Sequence, residues 1–230
     1  MKKYPCFILA RKNSKGLKNK NIAKLLKKPL IYYTVKFAKS SKLVSKVIVS
    51  TDDSRIFNIA KKLGCYVIYP RPKKLSNDSA KSEDALIHAI NNYEANFDKI
   101  SAFSYLQITE PLRPKNILDK CIKVFNKKKC DSVFAAFKTH KNYWIKDKKN
   151  YFRISPKNQS ILPRQIKTPV LREDTGVALI TKKENLYKYK SRIGKKIEII
   201  EYDSFHGLID IHTSKDLKLA KILLKNKISN

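Results

Sequence analysis

Short apolar runs alternate along this chain with stretches in which apolar residues return every three or four positions, the marks of buried strands and amphipathic helices. Tyr4 to Leu9 predicts a first strand, and Leu30 to Ser40, opened by Pro29, a first helix. Lys46 to Ser50 is the second strand. Asp53 to Leu63 is the second helix, with Ile56, Ile59, Ala60 and Leu63 on one face and Gly64 as its stop. Tyr66 to Tyr69 is a short third strand, after which the prolines of Pro70-Arg71-Pro72 hold Tyr69 and Arg71 extended. Ser82 to Asn96 turns Ala85, Leu86, Ala89, Ile90 and Tyr93 inward as a third helix. Ala102 to Leu106, Lys115 to Lys127 and Ser132 to Lys138 then read as strand, helix and strand. Strands and helices alternating at this spacing require parallel crossovers, so the predicted fold class is α/β with a doubly wound, mostly parallel sheet.

The rhythm then breaks. Thr139 to Arg172 is polar, aromatic and irregular, with Pro156, Pro163 and Pro169, and reads as an excursion from the sheet that carries His140, Tyr143 and Trp144. Arg172-Glu173-Asp174-Thr175-Gly176 leads into a strand at Val177 to Thr181, followed by a short helix at Lys183 to Lys190 and a strand at Ile197 to Tyr202. A capping-box-like Thr213-Ser214-Lys215-Asp216 announces the last helix, Ser214 to Lys225. Asp210 and His212 therefore stand at a turn entering a helix, a position suited to metal or phosphate chemistry.

Between the first strand and the first helix lies a basic polar loop, Ala10 to Asn21, and that junction is where open α/β sheets bind ligands. Gly16 lets backbone N–H groups approach a phosphate, Arg11 can hold two phosphate oxygens through its planar fork, and Lys15 and Lys20 are mobile point charges. Neither G-x-G-x-x-G nor G-x-x-x-x-G-K-[ST] occurs in a chain with 5 glycines, so no dinucleotide fingerprint or Walker loop explains the site. The competing reading is a solvated lysine-rich loop in a chain that is lysine-rich throughout.

At 230 residues and 42% hydrophobic content the chain supports one sizeable core. A formal charge of +32 ordinarily suggests nucleic acid or an anionic membrane. Here the lysines are spread over every segment and no basic stripe with interleaved aromatics appears, so neither partner is expected, although the charge steers polyanions inward. Cys6, Cys65, Cys121 and Cys130 lack metal-type spacing and read as buried reduced thiols, which suits the cytoplasm. The apolar run before Arg11 is short and lacks a cleavage site, and so reads as a strand and not a secretory signal. No stretch approaches the ~20 apolar residues of a membrane span.

Ala10-Arg11-Lys12-Asn13-Ser14-Lys15-Gly16 followed by Lys20-Asn21 resembles the signature of the acylneuraminate cytidylyltransferases. The resemblance continues through Val47-Ile48-Val49-Ser50-Thr51-Asp52, Arg71-Pro72, Leu106-Gln107-Ile108-Thr109-Glu110-Pro111-Leu112-Arg113 and Ile209-Asp210-Ile211-His212-Thr213, in the family's order. It implies a Rossmann-like nucleotidyltransferase fold over residues 1–230, with the excursion at 139–172 carrying a homodimer contact and helping to close the neighbouring subunit's sugar site. It also implies transfer of CMP from CTP to the anomeric hydroxyl of a 2-keto sugar acid such as sialic acid or another nonulosonate, with release of pyrophosphate. The same resemblance assigns roles. Arg11, Lys20 and Asp210 are catalytic; Arg11, Ser14, Lys15, Gly16, Lys20, Asn21, Arg71 and Ser82 bind the nucleotide. Gln107 and Arg164 bind the sugar acid, and Asp210 holds Mg²⁺ or Mn²⁺; His212, which the family pattern does not supply, is a further candidate for binding the sugar acid.

Two positions depart from the family pattern. His212 stands where a second metal-binding aspartate is expected, and imidazole suits softer metals better than Mg²⁺. It can act as a base or hydrogen-bond donor to the substrate, ligate a softer metal, or mark a weakened site. Glu110 stands where a small polar residue is usual, so the sugar pocket differs from that for ordinary sialic acid. The alternatives are a cytidylyltransferase for an eight-carbon keto acid or a phosphonate, and a non-catalytic sugar-nucleotide binding relative.

Overall fold

The computed structural model describes residues 1–154, 162–204, 207 and 209–228, so Pro156 of the excursion lies outside the described residues. The main strands are β1 (Tyr4–Ala10), β4 (Val44–Thr51), β5 (Tyr66–Ile68), β6 (Ala102–Tyr105), β7 (Ser132–Thr139), β10 (Val170–Glu173), β11 (Leu179–Lys182) and β12 (Ile197–Tyr202). Two small hairpins pair β2 (Lys24–Leu25) with β3 (Lys28–Pro29), and β8 (Trp144–Asp147) with β9 (Asn150–Arg153). The helices are α1 (Leu30–Ser40), α2 (Ser54–Lys62), α3 (Ser82–Asn96), α4 (Ile117–Lys127), α5 (Glu184–Lys188) and α6 (Ser214–Ile228).

The 8-stranded sheet follows the path β10-β7-β11-β6-β1-β4-β5, with β12 also on β7. β4, β1 and β6 run parallel, as do β4 with β5 and β7 with β12. β1 shows why the runs read as buried: Cys6, Ile8 and Ala10 enter one core layer, under α1, α2, α4 and α6, while Phe7 enters the other, under α3. A strand covered on both faces has no polar side to show, hence the near-continuous apolar run. At α2 the Asp53 side chain accepts from the Arg55 backbone N–H at 2.8 Å, and Gly64 beyond the helix sits at φ 70°, the left-handed conformation glycine adopts most readily.

The sheet is mostly parallel as expected, with an antiparallel insertion: β11 lies between β6 and β7 and runs antiparallel to both. Two expectations need correction. The excursion is not wholly irregular, since it contains the β8–β9 hairpin and ends in β10, which pairs antiparallel with β7. The strand predicted from Val177 begins at Leu179. β12 takes one edge of β7 over Ser132–Phe137, so β10 and β11 share the other edge in series, and residues 175–177 between them bulge out of the ladder while Asp174 and Ala178 both stay bonded to Ala135. That interruption positions the site described below. Pro29 caps α1, which spans Leu30–Ser40 as predicted.

All four cysteines are free and buried. Burial pushes the Cys6 thiol up to about 12 and Cys65 up to about 11, and raises Cys121 and Cys130 as well. Raised values keep the thiols protonated at pH 8, so the native chain should consume almost no aromatic disulfide reagent there, and four equivalents once denatured. Rapid reaction of even one native thiol contradicts this packing. Among the described residues no helix is long and apolar enough to cross a membrane.

Candidate active site

The carboxyl ends of β1 and β6, the loop after β1 and the amino end of α3 enclose a cavity of about 330 Å³, lined among others by Arg11, Ser14, Lys20, Asn21, Arg71, Ser82, Gln107 and His212. A second chamber of about 270 Å³ is lined by Gln107, Glu110, Arg172, Glu173, Asp174, Thr175, Gly176 and Asp210. Gln107 belongs to both. So does the junction beside it: His212 Nε2 lies 2.8 Å from Asp210 Oδ2, joining a residue of the first cavity to one of the second.

The cations of the first cavity are held from beneath. Arg71 is buried, its backbone N–H bonded to the Thr51 carbonyl at 2.8 Å and its side-chain Nε donating to Ser76 Oγ at 3.1 Å, with Asp52 3.9 Å from its guanidinium. Burial draws its guanidinium below the usual arginine value, while Asp52 opposes that shift. Burial likewise draws the Lys20 ammonium down and the adjoining Asp210 carboxylate holds it up. Asn21 donates its amide to the Arg11 carbonyl at 2.8 Å, which fixes the start of the loop. The α3 backbone N–H groups at Ser82 add the positive end of a 15-residue helix. A polyanion of nucleotide size meets complementary charge here from three elements.

Two loop residues behave differently from the sequence reading. Lys15 does not line the cavity; it and Arg11 pair with Asp78, at 3.7 and 2.7 Å. Such exposed pairs contribute about 0–1 kcal/mol, so a triphosphate can replace Asp78 at small cost. Gly16 packs against the C-terminal turn, where a Cβ would run into the His212 carbonyl oxygen well inside van der Waals contact. This approach by itself requires glycine there. Gly16→Ala should therefore shift the loop off the Asp210–His212 turn and lower kcat/KM by about 10- to 100-fold with the fold intact, measured as steady-state turnover beside a melting curve.

The turn is built as the capping pattern predicts: Asp216 Oδ2 accepts from the backbone N–H of Thr213 at 2.7 Å and of His212 at 3.0 Å. His212 is thereby held with its ring toward Asp210. A divalent cation fits Asp210 only with other donors, because His212 already takes one carboxylate oxygen and no group of three or more His, Cys, Asp or Glu forms among the described residues. The donor set suits a cation carried mainly by phosphate oxygens.

The second chamber depends on the interruption between β10 and β11. Asp174 is anchored by Arg172 at 2.8 and 2.9 Å and by the Tyr202 hydroxyl, and its N–H bonds the Ala135 carbonyl at 3.0 Å. Gly176 then passes so close to Glu110 and Gln107 that a Cβ would collide with the Glu110 carboxylate and lie 2.9 Å from Gln107 Cδ. Burial pushes the Glu110 carboxyl up to about 8, Asp210 and Asp174 adding to the rise and Arg113 opposing it. Arg164 lies elsewhere, exposed in a basic pocket with Thr139, His140, Lys141 and Lys167. Arg113, which carried no assigned role, organises the floor: it donates to the carbonyls of Val177 at 2.9 Å, Gly176 at 3.1 Å and Gln107, and to Thr34 Oγ1 at 3.2 Å. Its sequence signal was a charge inside the otherwise apolar Pro111-Leu112-Arg113 turn after a strand.

This chain is 29% identical over 231 residues to post-translational flagellin modification protein B of Campylobacter coli, covering 96% of this chain and 95% of that protein. It is 28% identical over 224 residues to a pseudaminic acid cytidylyltransferase of Campylobacter jejuni, with 96% and 95% covered. In fold it is similar to a CMP:2-keto-3-deoxy-manno-octonic acid synthetase solved with CTP, at TM-score 0.73 and 16% identity over 98% of this chain and 99% of that one. The family model described as cytidylyltransferase matches residues 6–228, and the chain belongs to that nucleotidyltransferase family.

Proposed function

We propose that this cytidylyltransferase moves CMP from CTP to the anomeric hydroxyl of a nine-carbon 2-keto sugar acid, with pyrophosphate leaving. The observation that carries the reading is the pair of cavities meeting at Asp210 and His212, one cationic and sized for a nucleotide, the other acidic and lined by hydrogen-bonding side chains. Relatives named for pseudaminic, N-acylneuraminic and N,N'-diacetyllegionaminic acids support a nonulosonate acceptor.

Arg11, Lys20, Arg71 and the α3 amino end hold the triphosphate, and Asn21 and Ser82 face the cytidine. Gln107, shared by both cavities, orients the acceptor toward the α-phosphorus. Positioning and charge neutralisation carry a reaction of this type. Asp210, with phosphate oxygens, would hold Mg²⁺ or Mn²⁺, which supplies further charge neutralisation when bound. His212 fixes the Asp210 carboxylate from the nucleotide side. The four buried thiols suit a cytoplasmic setting.

The excursion supports a homodimer. Trp144, Ile145, Tyr151, Phe152, Ile154 and Ile166 are all exposed, an apolar concentration that a second copy would cover, bringing Arg164 toward a neighbouring sugar site. Phe152→Asp should yield a monomer by light scattering. A wild-type chain that is already monomeric at tens of micromolar contradicts the dimer.

The test of function is pyrophosphate release with CTP, UTP, ATP or GTP, across eight- and nine-carbon 2-keto sugar acids. Release with CTP and a nine-carbon acid supports the reading. Release only with an eight-carbon acid, or with another nucleotide, contradicts it.

A further inference from the structure

The second chamber contains a buried group that the transfer reaction does not use. Glu110 is 8% exposed, and its Oε2 has no hydrogen-bond partner among the described residues. A buried polar atom without a partner is costly unless something at the site completes it. The surroundings narrow what that can be. Glu173, Asp174 and Asp210 line the same chamber, while Arg172 is committed to Asp174 through both of that carboxylate's oxygens. Arg113, the nearby buried cation, spends its N–H groups on the Val177, Gly176 and Gln107 carbonyls and the Thr34 hydroxyl. An anionic group entering here meets several carboxylates, and the two guanidinium groups nearby are already engaged, Arg172 by Asp174 and Arg113 by carbonyls.

We infer that Glu110 is a specificity-determining residue whose Oε2 pairs with an uncharged hydroxyl or acylamino group of the sugar acid. The inference rests on the function proposed above and deepens it. The acceptor's carboxylate is turned away from the chamber, and its neutral substituents fill it. Gly176 fixes the geometry, because only a residue without a side chain lets the Glu110 and Gln107 side chains lie against that backbone. Glu110 is thus held at a set distance from Gln107, so the two measure the acceptor from one wall.

The experiment compares wild type, Glu110→Ala and Glu110→Gln in pyrophosphate release over the same panel of sugar acids, with CTP binding and melting temperature measured for each. Glutamine keeps a neutral hydrogen-bonding group of the same shape. The KM for the preferred sugar acid should rise about tenfold in Glu110→Ala and at most about threefold in Glu110→Gln, with little change in kcat or in CTP affinity. The preference among sugar acids should narrow in Glu110→Ala. An unchanged sugar-acid KM in Glu110→Ala overturns the inference while leaving the enzyme's function standing. So does a loss of kcat at constant KM in Glu110→Gln, which would assign Glu110 to proton transfer. Equal losses of CTP affinity and melting temperature in both variants would reduce it to a structural residue. A wild-type chain that turns over no sugar acid overturns the function and this inference together.

Discussion

Asp210→Asn should lower kcat by on the order of 10²- to 10³-fold, the scale on which a preorganised charge acts on phosphoryl chemistry. Asparagine preserves the shape of the side chain and an oxygen for His212, so what it removes is the negative charge at the junction of the cavities. That charge has opposite consequences for binding and turnover. Without a cation it repels a triphosphate, so in chelator the variant should bind CTP at least as tightly as wild type. Calorimetry in chelator and turnover with Mg²⁺ separate the two. A variant that loses CTP affinity and turnover in parallel would place Asp210 in the frame of the site rather than in its chemistry.

Arg113→Met has the largest expected effect on stability. The guanidinium is buried, lies 5.3 Å from the Phe37 ring centroid, and ties the turn after β6 to residues 176 and 177 in the gap between β10 and β11. Breaking a buried charge network by removing one partner costs about 3–5 kcal/mol. The lower end applies, because the Gly176 carbonyl keeps the Gln107 N–H at 2.9 Å and the Gln107 carbonyl keeps the Thr34 hydroxyl at 3.4 Å, leaving the Val177 carbonyl as the orphan. About 3 kcal/mol corresponds to roughly 6–12 °C in melting temperature for a chain of this size. Calorimetric scanning checks it, and a change under ~2 °C would mean that the turn is held by other contacts.

The alternation of elements was legible because β1, β4 and β6 are buried on both faces and α1 to α4 show one apolar stripe each; periodicity reports burial directly. β10 was not legible for the converse reason. Val170 and Leu171 are half-buried and Arg172 and Glu173 exposed, so its pairing with β7 leaves no run to read. Nor was the antiparallel insertion of β11, since strand order depends on partners far away in sequence and not on the strand itself. At the site, the cationic loop and the Asp210–His212 turn were readable from residue type and order. Their meeting was not: it depends on Gly16 touching the His212 backbone, 196 positions away in the numbering. The pairing of Arg11 and Lys15 with Asp78, and the role of Arg113, are likewise contacts between segments that carry no local signature.

Nucleotidyl transfer at the α-phosphorus is tested most directly by identifying the products by mass spectrometry after incubation of the chain with CTP, Mg²⁺ and a nine-carbon 2-keto sugar acid. The expected products are pyrophosphate and, in equal amount, a compound in which one phosphate joins cytidine to the sugar. CDP with a phosphorylated sugar, or CTP left intact with every acid offered, would contradict this transfer.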